Sequence, residues 1–277
     1  MGKIKLGMAQ VLVKGGDFQG NLANAESFIL QSKKLGCDIV VFPECMDLGW
    51  TYPKAKQLAQ PIPGKYSDFI CDIAEKNRIY VVVGLTEEDN GKIYNTAILI
   101  SPEGQVLLKH RKINVLSIAQ DLYCTGDRLG VAHTTVGTIG LNICADNFPD
   151  SLVFGHSLAR MDAQIIISPS AWAVKADHDN KINPYGGMWE KSYRELSKLY
   201  EIYVIGVSNV GWIEGGPWDG RKCIGCSLAV GPQGNIIKKG KYGVNAEELI
   251  VCELILVNKL VTGTDFFHYL KERKQKM

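Results

Sequence analysis

TIGLNICADNFPD, residues 138–150, is the stretch on which the reading of this chain turns. Residues 138–143 form a mostly apolar run of strand length, and the run stops at a thiol, Cys144. A short apolar run suits a strand buried on both faces. A side chain just past such a strand has a fixed backbone on one side and an open loop on the other, a favourable place for chemistry.

Two other strand-like runs end in the same manner. DIVVFPE (38–44) closes on Glu44, and QVLLKHRK (105–112) closes on Lys112. The three side chains complement one another. A thiol needs a base to become a strong nucleophile, and a carboxylate can supply it. The tetrahedral intermediate formed on attack needs positive charge or N–H donors beside its oxyanion, and a lysine supplies that charge. Each residue alone has a plainer explanation. A Cys in an apolar run fills core, a Lys is commonly a solvated surface group, and a Glu after a strand can cap a helix.

Around these three ends, strand-like and helix-like segments alternate. Ile4, Leu6 and Met8 suggest a first strand, and residues 21–35 carry helical periodicity that Gly36 stops. Ser67 is placed to cap a helix bearing Phe69, Ile70, Ile73 and Ala74. Residues 79–85 and 95–100 read as strands, and SPEG (101–104) as a hairpin turn. In the second half, 150–163 and 186–200 read as helices, while 164–168, 201–209 and 248–254 read as strands. CSLAVGPQGNII reads as a hairpin turning at Gly231–Gly234. Such alternation predicts a layered α/β architecture, with no linker that would divide the chain into two domains.

Composition narrows the function. The 277 residues carry 31 Lys and Arg against 29 Asp and Glu, a net charge of +2, without the basic excess of a dedicated nucleic-acid binder. No apolar run reaches the ~18 residues that span a bilayer. Lys3 and Lys5 precede an apolar stretch, but Gln10 interrupts it, Lys14 ends it, and no small-residue cleavage site follows. Leu6 breaks the myristoylation pattern that Gly2 would begin. The eight cysteines lie mostly in apolar runs, as reduced thiols of a cytoplasmic protein would.

With these blocks assembled, the chain resembles the nitrilase superfamily, the carbon–nitrogen hydrolases, in the manner of its amidase or N-carbamoyl amidohydrolase members. FPE (42–44), HRKI (110–113) and ICADNFPD (143–150) are similar to that family's three signature blocks, in its Glu–Lys–Cys order. MAQ (8–10), GVSNVG (206–211) and IGCSLAVGPQGNII (224–237) extend the likeness over most of residues 4–256. The resemblance implies a four-layer α-β-β-α sandwich over residues 1–257, with residues 258–277 as a C-terminal arm or tail. It implies a homodimer or higher homo-oligomer, no metal and no organic cofactor. It implies an enzyme that cleaves a non-peptide C–N bond of a small carboxamide or N-carbamoyl (ureido) compound through a thioester. Glu44, Lys112 and Cys144 would form its triad, with the Ala145 N–H in the oxyanion site. Nitrile hydrolysis and amide-forming acyl transfer use the same triad. A binding protein on a retained hydrolase fold is a rival of a different class.

The chain departs from the family at 114–127, where relatives carry a second glutamate and this stretch has none. Asp121 is expected to replace it beside Lys112, with Gln120 the neighbouring candidate. Trp172, Asn147 and Tyr52 are expected to touch substrate, within an aromatic site that Trp50, Trp189, Trp212 and Trp218 also suggest. His178 reads as a surface-loop residue. Cys223 and Cys226 form a C-x-x-C without the second ligand pair or helix start of a metal or redox site, and read as strand.

Overall fold

The computed structural model describes residues 2–256. The chain runs β1 (Gly2–Gln10), α1 (Phe18–Lys34), β2 (Ile39–Val41), α2 (Ala55–Leu58), α3 (Lys65–Asn77), β3 (Tyr80–Asp89), β4 (Lys92–Ile100) and β5 (Val106–Arg111). Next come β6 (Val131–Thr134), β7 (Gly137–Leu141), α4 (Val153–Arg160), β8 (Ile165–Ser170), β9 (Ala173–Val174), α5 (Gly187–Tyr200) and β10 (Tyr203–Ser208). The chain closes through β11 (Val210–Trp212), β12 (Lys222–Ile224), β13 (Leu228–Val230), β14 (Ile236–Lys239) and β15 (Glu248–Leu256).

Two six-stranded sheets share one plan. The first has the order β15-β1-β2-β3-β4-β5 and the second β14-β13-β10-β8-β7-β6. In each, three parallel strands (β1-β2-β3, then β7-β8-β10) are joined by helical crossovers, as parallel pairing requires. Antiparallel strands flank each trio on both sides. A small third sheet, β11-β12-β9, lies beyond the ends of the second.

Strand alternation assigns the layers. Leu6, Met8, Ile39, Val41 and Val82 face Ile139, Leu141, Ile165 and Ile167 of the second sheet in one buried cluster. The intervening residues Val40, Val81 and Val83 pack instead beneath Phe28, Ile29 and Ile70 of α1 and α3. Leu158 of α4 and Leu196 of α5 cover the far side of the second sheet. The result is the expected four-layer α-β-β-α sandwich, held by side chains each worth roughly 1.5–3 kcal/mol when fully buried.

Several boundaries differ from the sequence reading for local reasons. Helix α3 is capped at Gly64, and Ser67 sits at its third position, where its hydroxyl accepts from the Gly64 N–H at 2.9 Å. The runs at 79–85 and 95–100 are one hairpin through Asn90–Gly91, both at positive φ, the pairing a two-residue turn selects. β7 ends at Leu141, so Cys144 lies on a turn past the strand rather than on its last residue. The expected arm at 258–277 lies outside the described residues. No helix among the described residues is long and apolar enough to cross a membrane.

Candidate active site

Glu44 is delivered by a tight departure from β2. Only Ile39–Val41 pair as a strand; Pro43 has no N–H to continue the ladder, and Cys45 turns the chain at φ 46°. The turn presses onto β3 at Gly84, where an added Cβ would lie 2.6 Å from the Glu44 Cα and 2.5 Å from the Pro43 carbonyl oxygen. The Glu44 N–H bonds across to the Ser170 carbonyl on β8, at 3.3 Å, so the residue is tied to both sheets.

Lys112 follows β5 directly. Its N–H donates to the Asn95 carbonyl on β4, and its carbonyl accepts from Gly126, both at 2.8 Å. The three consecutive side chains of HRK then separate. Arg111 forks onto Glu87 through Nε and Nη2, both at 2.8 Å, and lies over the Tyr94 ring. His110 meets Asp146 at 2.9 Å inside the protein. Lys112 reaches Glu44, with Nζ 2.6 Å from Oε1.

Cys144 arrives from the second sheet on a turn of 3-10 helix over Cys144–Asn147. Its φ is 44°, an uncommon conformation for a residue with a Cβ and one that collects at functional turns. Its N–H donates to Ser168 Oγ at 3.0 Å. Glu44 is near enough to raise its thiol, while Lys112 and the backbone N–H of Ala171 lower it.

These side chains form one buried cluster: Glu44 is 1% exposed, Lys112 2% and Cys144 8%. Asn95 completes it, donating through Nδ2 to Glu44 Oε1 at 2.5 Å. Burial and the charge of Glu44 push the Cys144 thiol up to about 12, while Lys112 pulls it down. Burial opposes the charge of Lys112, yet Glu44 and the other anionic groups around it outweigh burial and hold the ammonium above its usual range. A buried ion pair seldom repays its desolvation in stability. Its presence beside a thiol points to chemistry: a carboxylate to move a proton, a sulfur to attack, and a cation to receive developing negative charge.

The remaining expectations divide. Ala145 is fully buried directly after the thiol, and its carbonyl accepts from Asn114 Nδ2 at 2.8 Å. Tyr52 borders a narrow cleft with Trp50, Asn209, Trp212 and Cys223. Asp121 is corrected: its side chain is exposed, and the ammonium of Lys112 is held by Glu44 instead. The register of that loop is set by Tyr123, whose buried hydroxyl accepts from the Thr51 N–H at 3.0 Å and turns the preceding residues outward. Gln120 closes the same loop, donating to the Val115 carbonyl.

Asn147 is also corrected. Its amide is spent inside the protein, exchanging bonds with Asn142 at 2.7 and 2.9 Å and donating to Ser168 Oγ at 2.9 Å. Trp172 belongs to the layer beneath α5, stacked on Trp189 with ring centroids 5.0 Å apart. Cys223 and Cys226 are buried free thiols, and Cys223 lies on β12 as the strand reading holds. A cavity of about 340 Å³ opens at the start of α5 between His178, Tyr185, Met188 and Trp189. Tyr185 lies close enough to Cys144 for the thiolate to disfavour its ionisation, although burial is the larger effect.

Sequence reasoning missed Asn95, Asp146, His110 and Ser168. Asn95 carried one signal, a polar amide opening an apolar run. His110 carried another, a titratable ring two residues before the lysine and hence on the same strand face.

Comparison with known proteins agrees with this geometry. The carbon-nitrogen hydrolase family model matches residues 5–257. The omega-amidase NIT2-A of Xenopus laevis is 30% identical over 219 residues, covering 75% of each chain. A nitrilase of Pyrococcus abyssi is 29% identical and covers 92% of this chain and 91% of its own. Among solved structures, Nit3 of Saccharomyces cerevisiae, a nitrilase-superfamily member, superposes with a TM-score of 0.76 at 27% identity, covering 91% of this chain and 90% of that one. The chain belongs to the carbon–nitrogen hydrolase family, as an amidase-like member, and is an amidohydrolase.

Proposed function

We propose that this carbon–nitrogen hydrolase cleaves the C–N bond of a small carboxamide or N-carbamoyl compound through a thioester on Cys144. The observation that carries the reading is the buried carboxylate of Glu44, held by Lys112 and Asn95 on one oxygen and near enough to the Cys144 thiol to perturb it.

Glu44 takes the thiol proton as sulfur attacks the carbonyl carbon, so a thiol of high resting pKa never stands free as a thiolate. The carbonyl oxygen gains negative charge, which the Lys112 ammonium and the Ala145 N–H receive. Collapse breaks the C–N bond, and Glu44 returns the proton to the leaving ammonia or amine. A water then gives its proton to Glu44 and attacks the thioester, releasing the acid and restoring the thiol. The likeness to omega-amidases favours an amide at the end of a short chain.

The test is partition of the acyl-enzyme. Short linear amides and the matching esters are supplied with hydroxylamine, and hydroxamate and acid are measured. One hydroxamate-to-acid ratio for both leaving groups is expected, because both pass through the same thioester. Ratios that differ with the leaving group would exclude a common intermediate. Nitrile hydrolysis is a second reading, favoured by the likeness to the Pyrococcus abyssi nitrilase. Turnover of the matching nitrile faster than the amide would replace the first reading with it.

A further inference from the structure

The site draws Glu44 and Lys112 from one sheet and Cys144 from the other, and the faces between the sheets are apolar. Apolar contact is non-directional, so it resists separation without fixing alignment. A misplacement of 1 Å at a reacting centre costs on the order of 100-fold in rate. Something directional must hold Lys112 in register with Cys144.

We infer that Asp146 and His110 are positioning residues that set the placement of Lys112 against Cys144. Asp146 is fully buried, and four donors from the two sides of the site converge on its carboxylate. Oδ1 accepts from the N–H groups of Ile113 and Asn114, at 3.2 and 2.7 Å, directly after the lysine. Oδ2 accepts from the N–H of Ile143, at 2.9 Å, directly before the nucleophile. His110, on the same face of the strand end as Lys112, meets Oδ2 through Nε2 at 2.9 Å. Asn114 adds the return stitch, its Nδ2 donating to the Ala145 carbonyl at 2.8 Å and to Ser151 Oγ at 2.7 Å. The segment 110–114 and the turn 143–146 are therefore one hydrogen-bonded unit, though they belong to different sheets.

The histidine acts as a donor here. Its Nδ1 is buried with no partner among the described residues, so a ring protonated on both nitrogens would bury an unsatisfied N–H. The neutral ring with hydrogen on Nε2 satisfies Asp146 without that cost. A carboxylate this deep is tolerated because each of its lone-pair directions meets a donor. Replacing one oxygen by an amide nitrogen would face a donor with a donor and release one side of the clamp.

This inference rests on the reading of Cys144 and Lys112 given above, and its test separates the two. The probe is iodoacetamide, with alkylation rates at pH 8 located by peptide mapping. Cys71 and Cys124, both partly exposed, serve as internal standards in the same protein. In Asp146→Asn, Cys144 is expected to react about tenfold more slowly, because Lys112 no longer favours its thiolate, while Cys71 and Cys124 keep their rates. His110→Leu should show the same selective loss, and His110→Gln, which retains an N–H at the Nε2 position, should restore the rate to within about threefold. A faster reaction of all three thiols would mark a merely loosened structure and overturn the inference, as would unchanged Cys144 reactivity in His110→Leu. If Asp146→Asn fails to fold, the His110→Leu and His110→Gln pair decides alone. Lys112→Ala is the control. If it leaves the Cys144 rate unchanged, the reading of Lys112 is at fault rather than the clamp.

Discussion

Glu44-Cys45-Met46-Asp47 and Ile143-Cys144-Ala145-Asp146 are two turns built alike. Each puts a cysteine at positive φ (46° and 44°) just past a central strand and buries an aspartate two residues later. Only one of these cysteines has the surroundings of a nucleophile. Cys45 is fully buried against the Tyr123 hydroxyl, 3.6 Å away, and burial together with Glu44 and Asp47 drives its thiol well above the usual range. Cys144 is also raised by burial and Glu44, but Lys112 and the backbone N–H of Ala171 lower it. The aspartates differ in the same sense. Asp146 gathers four donors from two segments, whereas Asp47 has mainly the N–H and hydroxyl of Thr86. Backbone shape and a nearby carboxylate are common to both turns, and the cation and N–H donor brought from other elements are what set Cys144 apart.

The comparison can be broken at several points. Cys144→Ala should cost at least about 10⁴-fold in kcat/KM, the scale of losing a nucleophile, with its thermal transition retained. Activity within tenfold of wild type would remove Cys144 from the mechanism. Lys112→Ala should lower kcat by about 100- to 1,000-fold, as expected for one oxyanion donor worth ~2.7–4 kcal/mol. A change confined to KM would make the lysine a substrate-binding group only.

Asp47 sharpens the contrast through pH. Burial raises its carboxyl from 3.8 to about 7, against the hydrogen bonds from Thr86. Across that window the folded state holds a proton that the unfolded state has released, so this group's contribution to stability falls as pH rises, by up to about 1.4 kcal/mol per unit. Urea unfolding of Asp47→Asn between pH 4.5 and 7 should show that slope removed relative to wild type. Parallel stability curves for the two proteins would mean that Asp47 ionises normally.

Cys45→Ala should cost about 1–2 kcal/mol of stability as a buried truncation and leave kcat/KM within about threefold. A loss approaching that of Cys144→Ala would mean that the two turns share the chemistry. Smallest of all, Asp121→Asn should leave kcat/KM within twofold, because Asp121 is exposed and Lys112 is paired with Glu44. A tenfold loss would bring that loop back to the site.

What was legible in the sequence follows from the range of the interactions involved. Short apolar runs and alternating positions marked the strands, and Glu44, Lys112 and Cys144 stood out as the charged or thiol residues that follow three of them. Those positions depend on local patterning, which a sequence displays directly. The exposed position of Asp121 could not be read locally, because its loop is anchored by a contact 72 residues away, Tyr123 with Thr51. Asn147 looked available for substrate because its partners Asn142 and Ser168 satisfy it only once β7 and β8 are side by side. Trp172 looked like a pocket wall because its stacking partner Trp189 comes from α5. Asp146 was hidden in plain view within the nucleophile block, since its donors His110, Ile113 and Asn114 lie more than 30 residues upstream. The Asn90–Gly91 turn is a local signal, because a two-residue hairpin turn needs positive φ at both positions.

Turnover through a thioester requires a covalent acyl group on Cys144. Enzyme mixed with a short linear amide and quenched in acid within the first turnovers, then mapped by peptide mass spectrometry, tests it most directly. A mass increase equal to the acyl group is expected on the peptide containing Cys144, discharged by hydroxylamine and absent from the Cys45 peptide. Continued turnover with the label on another residue, or with no label on Cys144 at any quench time, would contradict it.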